Sequence, residues 1–118
     1  MTKGEIEEVL SAFTGAEPSF PFGPEALVFK VMGKMFALVS QNEETPRVTL
    51  KCKPERGVEL VEAYGAIIPG YYMNKKHWIT ISLNGDVDSL MLKELAANSY
   101  GLVVSKLKKS EKEQLQKR

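Results

Sequence analysis

Ile6, Val9, Leu10 and Phe13 recur at the three- and four-residue spacing of one helix face, which predicts a first helix from about Lys3 to Phe13. Thr2 supplies a capping hydroxyl, Glu5, Glu7 and Glu8 suit the positive N-terminal end, and Gly15 is expected to close the segment. Three prolines within Pro18–Pro24 forbid a regular helix there, and Phe20 and Phe22 lead us to expect a loop packed onto the core. Leu27 to Met32 and Met35 to Ser40 then read as two strands joined by a tight turn at Gly33-Lys34.

After a polar connector from Gln41 to Pro46, the stretch Arg47 to Lys53 alternates, giving Val48, Leu50 and Cys52 to the core and turning Arg47, Thr49, Lys51 and Lys53 the other way. Pro54 and Glu55 open a second helix, whose buried side is assigned to Val58, Leu60 and Val61 up to about Tyr64. Ile67 to Tyr72 reads as a short edge segment interrupted by proline. Trp78 to Leu83 alternates again, with Ile79, Ile81 and Leu83 inward and Trp78, Thr80 and Ser82 opposite. Asn84-Gly85 is a turn, and Asp86 or Asp88 caps a long helix with an apolar stripe running from Leu90 through Leu95, Tyr100 and Val103 to Leu107. Ser110 to Arg118 is either a short amphipathic helix or a frayed tail. Helices around a block of strands describe an α+β domain: an antiparallel sheet of about five strands, helices packed on one face and the other face in water.

The length of 118 residues suits one domain spanning 1–118 with a single core, large enough to fold without metal or disulfide. Cys52 is alone, so no internal disulfide is possible, and with His77 the single imidazole the chain falls short of the four His and Cys ligands that a structural zinc site usually takes. No leader-like start and no apolar run of bilayer length occur, so a cytoplasmic, membrane-free and cofactor-free monomer is expected. Net charge is +1, but it is segregated: residues 1–25 carry −4, 26–53 carry +3, 54–88 carry −2 and 89–118 carry +4. Segregation of this kind permits one surface to attract a polyanion.

Catalytic patterns are missing. Nucleophile, base and orienting acid cannot be assembled around His77, Cys52 is expected inward and inert, and no phosphate-cradling glycine loop occurs. No enzymatic activity is therefore expected. The informative stretch is Tyr71 to Thr80, where two tyrosines and a tryptophan surround Lys75, Lys76 and His77. Lysines neutralise phosphates and release counterions, while amide, imidazole and ring groups reach sugars and base edges. With Lys51 and Lys53 on the same open face, these segments would form one positive surface with Thr80 and Ser82 between them. Against this stand plainer roles: Trp78 as a covered ring, Lys75 and Lys76 as a solvated turn, and His77 as a partner for a backbone carbonyl.

Several segments together resemble the MmcQ/YjbR-like family. They are Phe20-Pro21-Phe22-Gly23-Pro24, Val28-Phe29-Lys30-Val31, Lys34 to Leu38, Val48 to Cys52 before Pro54-Glu55, Met73-Asn74-Lys75-Lys76-His77-Trp78, and Ser99-Tyr100 with Leu102-Val103-Val104. The resemblance runs the length of the chain. It implies a CyaY-like fold, a double-wing motif that binds DNA, and no established reaction. Two positions depart from the pattern: Ile79 stands where the family often has asparagine, and Tyr72 where it often has histidine.

The expectation that follows is a DNA-binding module contacting phosphates through Lys51, Lys53, Lys75 and Lys76, with Asn74, His77, Trp78 and Thr80 positioning or stacking. A rival reading is a protein-interaction module using Tyr71, Tyr72 and Trp78 as an apolar patch. A third, borrowed from the frataxin relatives of the CyaY-like fold, is weak metal binding by Glu5, Glu7 and Glu8.

Overall fold

A computed structural model describes residues 1–70 and 74–118; Tyr71, Tyr72 and Met73 lie outside the described residues. In chain order the elements are α1 (Lys3–Ser11), β1 (Ala16–Ser19), β2 (Ala26–Val31), β3 (Lys34–Ser40), β4 (Arg47–Lys51), α2 (Pro54–Ala63), β5 (Ile67–Pro69), β6 (Trp78–Ser82), α3 (Ser89–Ser105) and α4 (Lys109–Gln116). The strands form one antiparallel sheet of six in the order β1-β2-β3-β4-β6-β5. The sixth strand is β1, in the stretch expected to be a loop. It holds Pro18 because an edge strand has one side with no ladder to feed.

Helix starts follow the chain's own chemistry. Thr2 and Glu5 form a reciprocal capping box at α1, and the Asp88 carboxylate accepts from Met91 N at 2.8 Å to start α3. The first hairpin turns at Met32-Gly33, one residue earlier than expected, with φ of 49° and 77°. A two-residue connection with positive φ at both positions matches the right-handed twist of the flanking strands, and Gly33 takes that conformation without strain.

One sheet face is the core. Cross-strand rows Phe29–Ala37–Leu50–Ile79 and Leu27–Val39–Val48–Ile81–Ile67 pack under Ile6 and Leu10 of α1, Leu60 of α2, and Leu92, Leu95, Ala96 and Val103 of α3. Leu115 of α4 is buried against the same cluster, so the C-terminal segment is a docked helix. The register slips after Phe29, which makes Phe36 a bulged residue and buries it beside Ala37. Phe36 then meets Phe13 and Tyr100 edge-on at 5.9 and 5.3 Å, while Phe13 and Tyr100 stack at 4.8 Å.

Several expectations are corrected. Phe20 and Phe22 are exposed, Phe22 at 68%, because the turn in which Gly23 N donates to the Phe20 carbonyl holds this segment off the core. Val58 and Leu90 are also exposed, since their helices bury the faces of Gly57 and Leu60, and of Leu92 and Leu95, instead. A Cβ on Gly57 would stand 3.1 Å from the Cys52 sulfur, so glycine is what lets α2 approach the sheet so closely.

Candidate nucleic-acid interface

β4 and β6 pair from Arg47 opposite Ser82 to Lys51 opposite Trp78. Period-two alternation therefore puts Lys51 and Trp78 together on the face away from the helices. The Lys51 ammonium lies 5.8 Å from the Trp78 ring centroid, within cation–π range, and the indole is half-buried, so neither the cation nor the ring is sealed in the core.

The ladder is extended by one bond in which Cys52 N donates to the His77 carbonyl at 2.9 Å. This bond draws the chain at 52–54 alongside the loop at 74–77. Within that loop the Asn74 side-chain oxygen accepts from Lys76 N at 2.9 Å, and His77 N donates to the Asn74 carbonyl at 3.2 Å. Asn74 thus shapes the turn, and only its NH2 group remains to donate elsewhere. Lys53, Asn74, Lys75, Lys76 and His77 are all exposed.

The lysines do not all lie on the sheet face. Lys53 lines a groove between the start of α2 and α3, together with Arg56, Asn98 and Ser105, and the groove extends to the end of β4 at Lys51, whose ammonium lies over Trp78 on the outer face. Lys75 and Lys76 line a second groove on the other flank of α2, with Pro54, Val58 and Glu62. The two pairs therefore straddle the N-terminus of α2, a helix that begins with Pro54 and has no side-chain cap. Its free amide hydrogens and partial positive charge point to the same end of the molecule as the lysines. Arg56 is partly committed, bonding Glu94 of α3 at 3.1 Å, an exposed pair that adds little stability.

Thr80 is corrected. It is 2% exposed, and its hydroxyl shares a 2.9 Å hydrogen bond with that of Thr49, itself buried. A row Val28–Leu38–Thr49–Thr80–Ile68 crosses the outer face, and its four members from Val28 to Thr80 are all buried. The middle of that face is accordingly not in water. Arg47 is held by Glu43 at 3.1 Å. Cys52 is buried, and burial pushes its thiol pKa up, which keeps it a protonated core residue.

Ser99 was not singled out as functional from the sequence, yet it fixes this site from behind. Fully buried in α3, its hydroxyl donates to the Phe36 carbonyl and accepts from Lys51 N at 2.8 Å. The bulge at Phe36 leaves β3 without a ladder partner for that part of β4, and the serine fills both vacancies. A serine in the middle of an apolar helix stripe was the signal available.

Tyr71 and Tyr72, on which the protein-interaction reading turned, lie outside the described residues. Two of the three glutamates of the metal reading, Glu5 and Glu7, have partners within the chain. The Glu5 carboxylate accepts from Thr2 N at 2.9 Å, which with the Thr2 hydroxyl lowers its pKa, and Glu7 bonds Gln41 at 2.9 Å with Lys3 at 3.6 Å. Among the described residues no helix is long and apolar enough to cross a membrane.

A family model described as YjbR matches residues 11–102. The chain is 38% identical over 99 residues to the uncharacterised protein YbdF of Escherichia coli O157:H7, covering 84% of this chain and 81% of that one. It is 33% identical over 107 residues to the uncharacterised protein YjbR of Escherichia coli K12, covering 91% of each. The crystal structure of Deinococcus radiodurans protein DR2400, domain DUF419, superposes with a TM-score of 0.90 at 40% identity, covering 98% of this chain and 88% of that one. A crystal structure from Pseudomonas syringae gives 0.76 at 26% identity over 86% of this chain and 98% of that one.

Proposed function

The chain belongs to the YjbR family, and from that premise and the basic end of its sheet we propose that it is a small cytoplasmic DNA-binding module with no catalytic step. In this reading Lys51, Lys53, Lys75 and Lys76 neutralise phosphates around the uncapped N-terminus of α2, and Trp78, His77 and the Asn74 amide meet sugars or base edges. The sheet serves as the platform of a double-wing motif in a CyaY-like fold. The observation that carries the proposal is the 2.9 Å bond from Cys52 N to the His77 carbonyl, which joins two lysine pairs far apart in sequence at one junction. Helix amides and lysines acting together favour a polyanion more than either does alone. Thr80 has no part in the contact.

The test is titration of a fluorescent duplex across a salt series. Four phosphate contacts predict a log-affinity slope of about −3 to −4 against log salt. Replacing Lys75 and Lys76 together by alanine should flatten the slope by about two, since each lost phosphate contact removes close to one unit. A flat salt response in the unaltered protein, or an unchanged slope in the double variant, would overturn the reading.

A further inference from the structure

At the far end of the same outer face lies a basin of about 500 Å3, a size typical of sites for one small molecule. Ala26 of β2 and Met35 and Leu38 of β3 provide apolar surface, and Phe22 lines the same space while remaining largely uncovered. An aromatic ring left this exposed forfeits burial worth having, unless something else covers it. The segment that presents it is fixed at both ends, by the Gly23 N to Phe20 carbonyl bond at 3.3 Å and by Gln41 N bonding the Glu25 carbonyl at 2.9 Å.

The charged rim has one sign. Glu25 and Glu43 both line the basin, no Lys or Arg does so among the described residues, and Arg47 is engaged by Glu43 at 3.1 Å. The Ser40 hydroxyl is committed to Arg47 N at 2.9 Å. The Glu25 carboxylate has no ion-pair partner among the described residues. An anionic ligand would meet carboxylate with no cation to offset it, whereas a protonated amine would meet Glu25 while its apolar body covered Phe22, Met35 and Leu38.

We propose that this basin is a binding site for a small amphipathic organic cation, a protonated amine carried on an aromatic or aliphatic body. It stands at the opposite end of the sheet from the lysines and does not depend on DNA binding.

Three probes sharing an indole ring and differing in charge test the assignment: tryptamine, tryptophol and indole-3-acetate, followed by amide NMR shifts. Tryptamine should give saturable shifts confined to residues 20–27 and 35–43, with tryptophol weaker and indole-3-acetate weakest. Glu25→Gln should weaken tryptamine by roughly three- to five-fold, the range of a partly exposed ion pair, and leave tryptophol unchanged. Phe22→Ala, a change at a position 68% exposed and so expected to leave the fold intact, should weaken all three probes together. Shifts that do not saturate or that fall elsewhere, equal affinity across the charge series, or a Glu25→Gln protein that binds tryptamine as before would each overturn the proposal.

Discussion

Lys51 and Trp78 face each other across β4 and β6, with the ammonium 5.8 Å from the ring centroid. The chain has a single tryptophan, so its emission reports on this one contact. Lys51→Ala should change the emission of the free protein and cost no more than about 0.5–1 kcal/mol, the worth of an exposed cation–π pair. If the proposed DNA contact is formed here, duplex should quench or shift the same emission, and salt should reverse it. Binding seen by anisotropy with the emission unmoved would place the contact elsewhere.

Ser99 holds two backbone groups at once, so Ser99→Ala strands both the Phe36 carbonyl and the Lys51 amide. Each orphaned buried group costs about 1–3 kcal/mol, and we expect a loss of at least about 2 kcal/mol in urea unfolding. Hydrogen exchange gives the specific readout: the Lys51 amide should lose protection more than its neighbours on β4. A uniform change along the strand would mean that the serine acts only through packing.

The Thr49–Thr80 bond predicts a non-additive pair. Thr80→Val leaves the buried Thr49 hydroxyl without its partner and should cost about 1–2 kcal/mol, while Thr49→Val made on top of it should cost less than the same change made alone, since the shared bond is already lost. Affinity for DNA should be the same in the double variant as in the unaltered protein, because neither threonine reaches solvent. A loss of affinity there would return Thr80 to the contact surface.

Asp86 ties the end of α2 to the turn after β6: its two carboxylate oxygens accept from Gly65 N at 3.0 Å and Ala66 N at 2.9 Å. These backbone donors hold its pKa below the ordinary carboxylate value. A carboxylate whose pKa is depressed by folding stabilises the native state above its unfolded pKa, and the contribution is lost as pH falls through the folded value. Asp86→Asn should therefore lower the melting temperature near pH 7 and lower it less near pH 3. Equal loss at both pH values would point to geometry rather than charge.

Much of the fold can be read along the chain, because caps and periodicity are local. Thr2 with Glu5, Asp88 before its apolar stripe, Pro54 at a helix start, and the alternation of Val48 with Leu50 and of Ile79 with Ile81 each state an element within a few residues. The same alternation places Lys51 and Trp78 on a shared face once the two strands are neighbours.

What a residue meets is set by pairing partners distant in sequence. Pro18 is in a strand only because β2 offers it an edge, and Phe22 is exposed although its hydrophobicity argues for burial. Thr80 alternates outward like Trp78 yet is buried against Thr49 of the neighbouring strand, and Ser99 gains its partners through a bulge in another strand. The placing of Lys53 with Lys75 and Lys76 around α2 likewise follows from one long-range hydrogen bond. Backbone propensity acts over a turn of chain and is encoded there. Register, shielding and convergence of charge exist only after the sheet has closed, so the amino-acid order determined the elements and the candidate residues, and the tertiary structure decided which of them share a surface.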